Sequence, residues 1–237
     1  MKRCLTVLFF LIPPLLFCAP PGKSPNLVEN GDFELGKNRP TGWDIPDRLT
    51  VFREKLPPSP NRPPGKGLRI DTDVYMKEWE KRKKEIEKNP EAPPWKKKQT
   101  SGKKYNTIAG NNGVSFYSDP IPVKKDTEYN IALDIRSNRP NAEPKIFVKG
   151  YTLHKKRMRV IYKTYLNCRL EGTGWQHFHQ SFHPTKNTPK VTEMRVMIFC
   201  YWPPGEYFVD NVSITENPAT PTPTPTPEPT GTQKRSP

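Results

Sequence analysis

The chain has 237 residues, enough for one sizeable core and an ordinary length for a single sandwich domain. Thirty prolines and a hydrophobic fraction of 33% would be low for a compact domain, but much of the proline falls in linkers and the tail. A net charge of +15 implies attraction to anionic surfaces: acidic polysaccharide, envelope phosphate groups or nucleic acid.

Residues 1–19 carry a Lys2-Arg3 start, an apolar run from Leu5 to Phe17 broken by Pro13-Pro14, and then Cys18-Ala19. This is the layout of a secretory signal, too short to span a bilayer as a helix. Export makes nucleic acid the least expected of the three anionic partners. Cys18 invites a lipid anchor, although bulky Phe17 stands before it where a small residue is expected. A short linker covers 20–25, and the predicted location is outside the cytoplasm: secreted, periplasmic or at the cell surface.

The stretch Asn26 to Trp43 reads NLVENGDFELGKNRPTGW. Asn30-Gly31-Asp32 is a strong turn signal, since Gly takes positive φ freely and Asn and Asp bond their own backbone. Phe33 and Trp43 are placed to anchor the flanking chain in the core. Leu49 to Phe52 and Gly67 to Asp71 read as short strands separated by a proline-rich loop, Pro57 to Gly65.

Residues 74–104 break the β rhythm. Tyr75, Met76, Trp79 and Ile86 fall near helical spacing, with a capping group available between Asp71 and Asp73, and Pro90 ends the pattern. Lys77 to Lys104 holds 11 Lys or Arg against 5 Glu, so this is expected to be an inserted basic helix and loop. It serves either as a solvated helix with pairs such as Glu80–Lys84, or as a basic rim with Trp79 or Trp95 as a stacking ring.

Strands follow at Val114 to Tyr117, Glu128 to Ser137, Lys145 to Leu153, Met158 to Cys168, Trp175 to Phe182, Met194 to Trp202 and Phe208 to Ile214. In the second of these, Tyr129, Ile131, Leu133 and Ile135 alternate strictly with Asn130, Ala132, Asp134 and Arg136, the mark of a half-buried antiparallel strand. Eight or more strands without crossover helices predict an all-β, two-sheet antiparallel β-sandwich over residues 26–216. Residues 217–237 are a Thr-Pro-rich segment expected to be a disordered, semi-rigid spacer. Cys168 and Cys200 each lie in an apolar run, either pairing in an oxidising compartment or buried singly.

The opening Asn-Leu-Val-x-Asn-Gly-Asp-Phe-Glu, the Gly42-Trp43 that follows and the closing Val209-Asp210-Asn211-Val212-Ser213-Ile214 together resemble one family. That family is the secreted carbohydrate-binding modules of families four, nine and twenty-two, which share the galactose-binding-like jelly roll. The resemblance covers nearly everything from Asn26 to Glu216. It implies non-catalytic binding of polysaccharide. It also implies a structural calcium, nominating Asp32, Glu34 and Asp210 as ligands; calcium would draw its remaining oxygens from backbone carbonyls. Asp32 as a plain turn cap and Glu34 as a solvated carboxylate are the alternatives.

Sugar sites in sandwiches combine stacking rings with a few polar groups in a pre-formed groove. The candidates are Arg136 and Asp134 on one polar face, Tyr151 beside Lys145 and Lys149, Tyr165 beside Lys163, Tyr201 with Arg195, and Trp202 at a loop tip. Trp175 and Trp43 read as core. His177 and His179 share a strand face, yet no carboxylate in that run completes a metal site. Carboxylates are scattered, and no motif picks out the pair that glycoside hydrolysis needs. The expected function is therefore binding, by a monomer without a transmembrane segment, of a neutral or acidic polysaccharide. Two alternatives stand beside it: an adhesion or envelope protein using its basic insertion, and a small glycan-active hydrolase or lyase.

Overall fold

A computed structural model describes residues 24–57, 64–98, 100 and 105–217. The signal-like segment, the middle of the proline-rich loop, part of the basic loop and the Thr-Pro tail lie outside the described residues. Ten strands form: β1 (Val51–Lys55), β2 (Lys66–Asp71), β3 (Val114–Tyr117), β4 (Ile121–Pro122), β5 (Tyr129–Ser137), β6 (Lys145–His154), β7 (Arg157–Asn167), β8 (Gln176–Phe182), β9 (Glu193–Cys200) and β10 (Glu206–Glu216). They build two antiparallel sheets. Sheet one runs β1-β2-β10-β5-β8; sheet two runs β3-β9-β6-β7, with β4 also paired to β9. This is the two-sheet antiparallel β-sandwich that the strand spacing predicts and the jelly roll that the resemblance implies.

Alternation decides what lies between the sheets. Tyr129, Ile131, Leu133 and Ile135 of β5 face Ile146 and Val148 of β6 and Met194, Val196 and Ile198 of β9, all within one buried cluster. Trp43 is fully buried, 4.8 Å from Phe33 and stacked at 5.9 Å on Phe116. Trp175, by contrast, is only half-buried, because it stands in the loop before β8 rather than on an inward strand position.

The Asn-Gly-Asp turn meets the closing strand directly. Val212 N donates to Gly31 O at 2.8 Å, Leu27 N donates to Ile214 O at 2.8 Å, and the Asn26 amide donates to Val212 O at 3.0 Å. The Asn26 side chain also accepts from Ile214 N at 3.0 Å. These bonds satisfy β10 where its register with β5 shifts between Asp210 and Ser213. Asp32 and Glu34 do not share a strand face, since the turn carries Phe33 at φ 55° and the chain is not extended there.

The insertion contains one helix, α1 (Met76–Lys88). Its N-cap is Tyr75 with no side-chain cap, not a residue between Asp71 and Asp73. Asp71 is instead buried and accepts from Lys97 Nζ at 2.7 Å. The Glu80–Lys84 pair does not form among the described ion pairs. A fully buried arginine holds the helix: Arg82 donates to Asp47 O at 2.6 Å, Ala92 O at 3.1 Å and Glu85 Oε2 at 2.9 Å, with Trp95 5.7 Å away. No helix among the described residues is long and apolar enough to cross a membrane.

Cys168 and Cys200 are both free and buried. The ladder explains why they do not bridge. Cys168 N bonds Pro144 O, continuing β7 past the Lys145–Asn167 pair, while Cys200 follows Phe199, the other partner of Lys145. With β6 between them the backbones stand two strand spacings apart, about 9–10 Å, beyond the roughly 7 Å a disulfide spans. Burial pushes the Cys168 thiol up to about 12 and the Cys200 thiol well above its ordinary 9.0.

Three outcomes are expected. At Gly31 an added Cβ would stand 1.8 Å from Val212 O, so Gly31→Ala should cost about 2–3 kcal/mol, a fall of roughly 5–10 °C in Tm by calorimetry. Arg82→Leu takes the donor from the Asp47 carbonyl and one of two donors from Ala92 O, which Arg48 still reaches, and should cost about 1–3 kcal/mol, with earlier proteolytic cleavage of the insertion. The two core thiols should resist alkylation at pH 8 until guanidinium unfolds the chain, as read by mass spectrometry. Because their folded values are raised, their share of stability is whole below pH 9 and is lost as pH climbs towards 12.

Candidate functional site

Sheet two turns one side chain of every pair outward. Cross-strand register arranges those side chains in rows running over β3, β9, β6 and β7. Ser115, Phe199, Lys145 and Asn167 make one row. Tyr117, Met197, Phe147 and Tyr165 make the next. Arg195, Lys149 and Lys163 make a third, all cationic. Beyond the register shift after Gly150, Glu193, Tyr151 and Val160 make a fourth.

The rings form a continuous layer. Phe147 lies 5.5 Å from Tyr165 and 6.1 Å from Phe199, and Phe199 stacks on Tyr201 at 5.3 Å. Ammonium groups cover parts of it. Lys163 Nζ sits 4.6 Å from the Phe147 centroid, Lys149 Nζ 5.0 Å from that of Tyr117, and Lys145 Nζ 5.2 Å and 5.7 Å from those of Tyr165 and Tyr201. Lys149 also donates to the Tyr117 hydroxyl at 2.9 Å. Tyr165 remains 47% exposed, the most open ring of the layer.

Beside the start of β9 the face opens into a cleft of about 280 Å³ lined by Asp44, Tyr117, Tyr151, Met158, Glu193 and Arg195. Burial holds the Asp44 carboxyl above its ordinary value, partly offset by the hydrogen bond it accepts from Tyr117 N at 3.1 Å. Burial likewise raises the Tyr151 phenol.

The sequence-predicted residues divide between two faces. Tyr151, Tyr165 and Tyr201 come together on the outer face of sheet two, and Trp202, 40% exposed, follows at the end of β9. Asp134 and Arg136 lie on β5, in the other sheet. There Asp134 is engaged by His177 Nδ1 at 2.8 Å and by the Asn211 amide at 2.7 Å, and the Arg136 guanidinium sits 5.3 Å over Phe208. The two sets do not share a groove. His177 thus finds a carboxylate on the neighbouring strand rather than in its own run.

Asp32, Glu34 and Asp210 are not brought together either. Glu34 accepts from Lys66 N at 2.7 Å, Asp32 accepts weakly from Glu34 N at 3.4 Å, and Asp210 is buried in β10. Among the described residues no three His, Cys, Asp or Glu side chains gather as a metal cluster. The donor set nominated for calcium therefore does not fit as a side-chain triad.

Asp44 carries no sequence signal for this site. The cations of the row are visible beside the tyrosines in the sequence, where residues 145–169 contain eight Lys or Arg and no Asp or Glu, but their alignment across three strands comes only from the register.

No protein-family model matches the chain, and no curated protein matches it. Among solved structures its fold is similar to the enzymatically active domain of tailspike protein 4 of bacteriophage CBA120, with a TM-score of 0.52 and 8% identity over 81% of this chain. The chain spans about a fifth of that tailspike chain, 21%. Carbohydrate-binding modules are also among the similar structures. A family 16 module has a TM-score of 0.46 and 15% identity, covering 80% of this chain and 99% of its own. The family 22 xylan-binding domain CBM22-1 of Paenibacillus barcinonensis Xyn10C has a TM-score of 0.44 and 10% identity, covering 82% and 96%. At these identities the likeness is one of fold.

Proposed function

We propose that the protein is an exported, non-catalytic carbohydrate-binding module whose site is the outer face of sheet two. The observation that supports this reading most is the ring layer of Phe147, Tyr165, Phe199 and Tyr201, which is exposed at Tyr165 and edged by polar groups. A pre-formed aromatic floor, stacked at Phe199 and Tyr201 and tilted at Phe147, with polar side chains beside it suits the apolar face and the hydroxyls of a pyranose ring. The resemblance of the opening and closing stretches to secreted carbohydrate-binding modules supports the same reading, as does the signal-like start.

A second reading has one specific observation in its favour. Asp44, with a raised carboxyl, and Glu193 line the same cleft at the edge of the face, and paired carboxylates beside a sugar site are what glycoside hydrolysis uses. Release of reducing ends from a retained glycan, abolished in Glu193→Gln, would establish it.

Affinity electrophoresis through gels of xylan, β-glucan, pectin and sulfated glycan, with and without EDTA, tests the main reading. The expected result is retardation by at least one glycan, unchanged by EDTA and weakened about tenfold in Tyr165→Ala and Tyr201→Ala. Arg136→Ala, on the opposite sheet, should migrate as the parent does. Retardation lost in Arg136→Ala and kept in both tyrosine variants would place the site on sheet one instead.

A further inference from the structure

Several arginines and lysines elsewhere on the sandwich face carboxylates. Arg69 meets Glu54 and Glu206 at 2.8 Å and 3.1 Å, Lys97 meets Asp71 at 2.7 Å, and Lys124 meets Glu216 at 2.7 Å. The cations on the outer face of sheet two are different. Among the ion pairs of the described residues, none involves Lys145, Lys149, Lys163 or Arg195. Lys145, Lys149 and Lys163 stand near aromatic rings, whose negative faces attract a cation without neutralising it, while Arg195 lines the cleft with Tyr117, Tyr151, Asp44 and Glu193.

This arrangement discriminates between ligand classes. A neutral sugar stacking on Phe147 or Tyr117 has to displace the ammonium groups of Lys163 and Lys149 and offers them nothing in return. An anionic sugar keeps them, since each ammonium swings from ring to anion at little cost in solvation. Arg195, Lys149 and Lys163 stand side by side on three adjacent strands, so their attachment points follow one another at about 4.8 Å. Carboxylates flank only one end of this track: Glu193 neighbours Arg195 on β9, and Asp44 lines the same cleft. The track therefore runs from Arg195 outward to Lys163 at the exposed β7 edge.

Resting on the carbohydrate-binding reading, we propose that the face selects glycans bearing carboxylate or sulfate groups, with Lys149, Lys163 and Arg195 as the anion-binding row and Lys145 as a fourth contact between Tyr165 and Tyr201. Neutral chains of the same backbone are rejected. The selectivity resides in this row and not in the chain's overall charge of +15.

The full chain is titrated at fixed salt against polygalacturonate, fully methyl-esterified polygalacturonate, dextran sulfate and dextran. Binding to polygalacturonate and not to its ester is expected for a carboxylate ligand; binding to dextran sulfate and not to dextran is expected for a sulfated one. Lys163→Gln, at an exposed position, should weaken binding about twofold to fivefold. The triple variant Lys149→Gln, Lys163→Gln, Arg195→Gln should weaken it about thirtyfold and flatten its salt dependence. A control triple in the insertion, Lys81→Gln, Lys84→Gln, Lys88→Gln, removes the same charge and should leave affinity within about twofold. Equal losses in the two triples would overturn the proposal in favour of overall charge. Equal binding to esterified and free polygalacturonate, lost in Tyr165→Ala alone, would overturn it and leave carbohydrate binding standing. Binding to phosphatidylglycerol vesicles but to none of the four polymers would overturn both readings.

Discussion

The sandwich depends on a clasp between its first ordered turn and its last strand. Gly31 approaches Val212 so closely that no side chain fits between them, and Asn26 both donates to and accepts from the same segment of β10. β10 is the central strand of sheet one, and at its register shift it has no regular partner on the β5 side. Without the turn, those backbone groups would be buried and unpaired, at a cost comparable to lost hydrogen bonds. Closing the two ends of the domain against each other also seats Phe33 and Trp43 in the core, because the chain leaves the turn directly beneath Phe116. This is the physical content of two short motifs separated by nearly the whole domain.

With sheet one fixed in this way, sheet two is free to specialise its outer surface. Its inward positions are ordinary aliphatics, whereas its outward positions hold rings and cations. The insertion abuts this surface on the β3 side, where Trp79 and Lys83 of α1 line a groove together with Asp44, Ser115 and Tyr117. It is tied down by a buried arginine that binds two backbone carbonyls, so its packing is set by hydrogen bonding as much as by an apolar stripe. The basic residues of α1 thus stand on a helix beside β3, whereas those of β6 and β7 are laid out on the sheet itself.

Local pattern made much of the fold legible. The alternation in β5 named its four inward residues correctly, although Ala132 on the other face is buried as well, and most strand limits fell within a residue or two of those observed. What pattern could not supply was register. Tyr151, Tyr165 and Tyr201 were identifiable one strand at a time, but that Arg195 lies beside Lys149 and Lys149 beside Lys163 depends on β9 pairing with β6, and on a shift within the β6–β7 hairpin. The same gap misassigned Asp134 and Arg136, whose polar face is real but belongs to the opposite sheet. Arg82 was hidden for another reason: amid ten other basic residues, nothing in the sequence separates the one whose guanidinium is buried.

The placement of β7 carries one last consequence. It is eleven residues long, it ends sheet two, and among the described residues no strand lies along one of its sides. Such an edge is a template on which a second copy could add a strand and begin a stack. Here Arg157, Arg159 and Lys163 line it, so a second copy approaching edge to edge would bring like charges together. Of these three only Lys163 also belongs to the cationic row of the outer face, so the edge carries a guard against self-association that is largely its own.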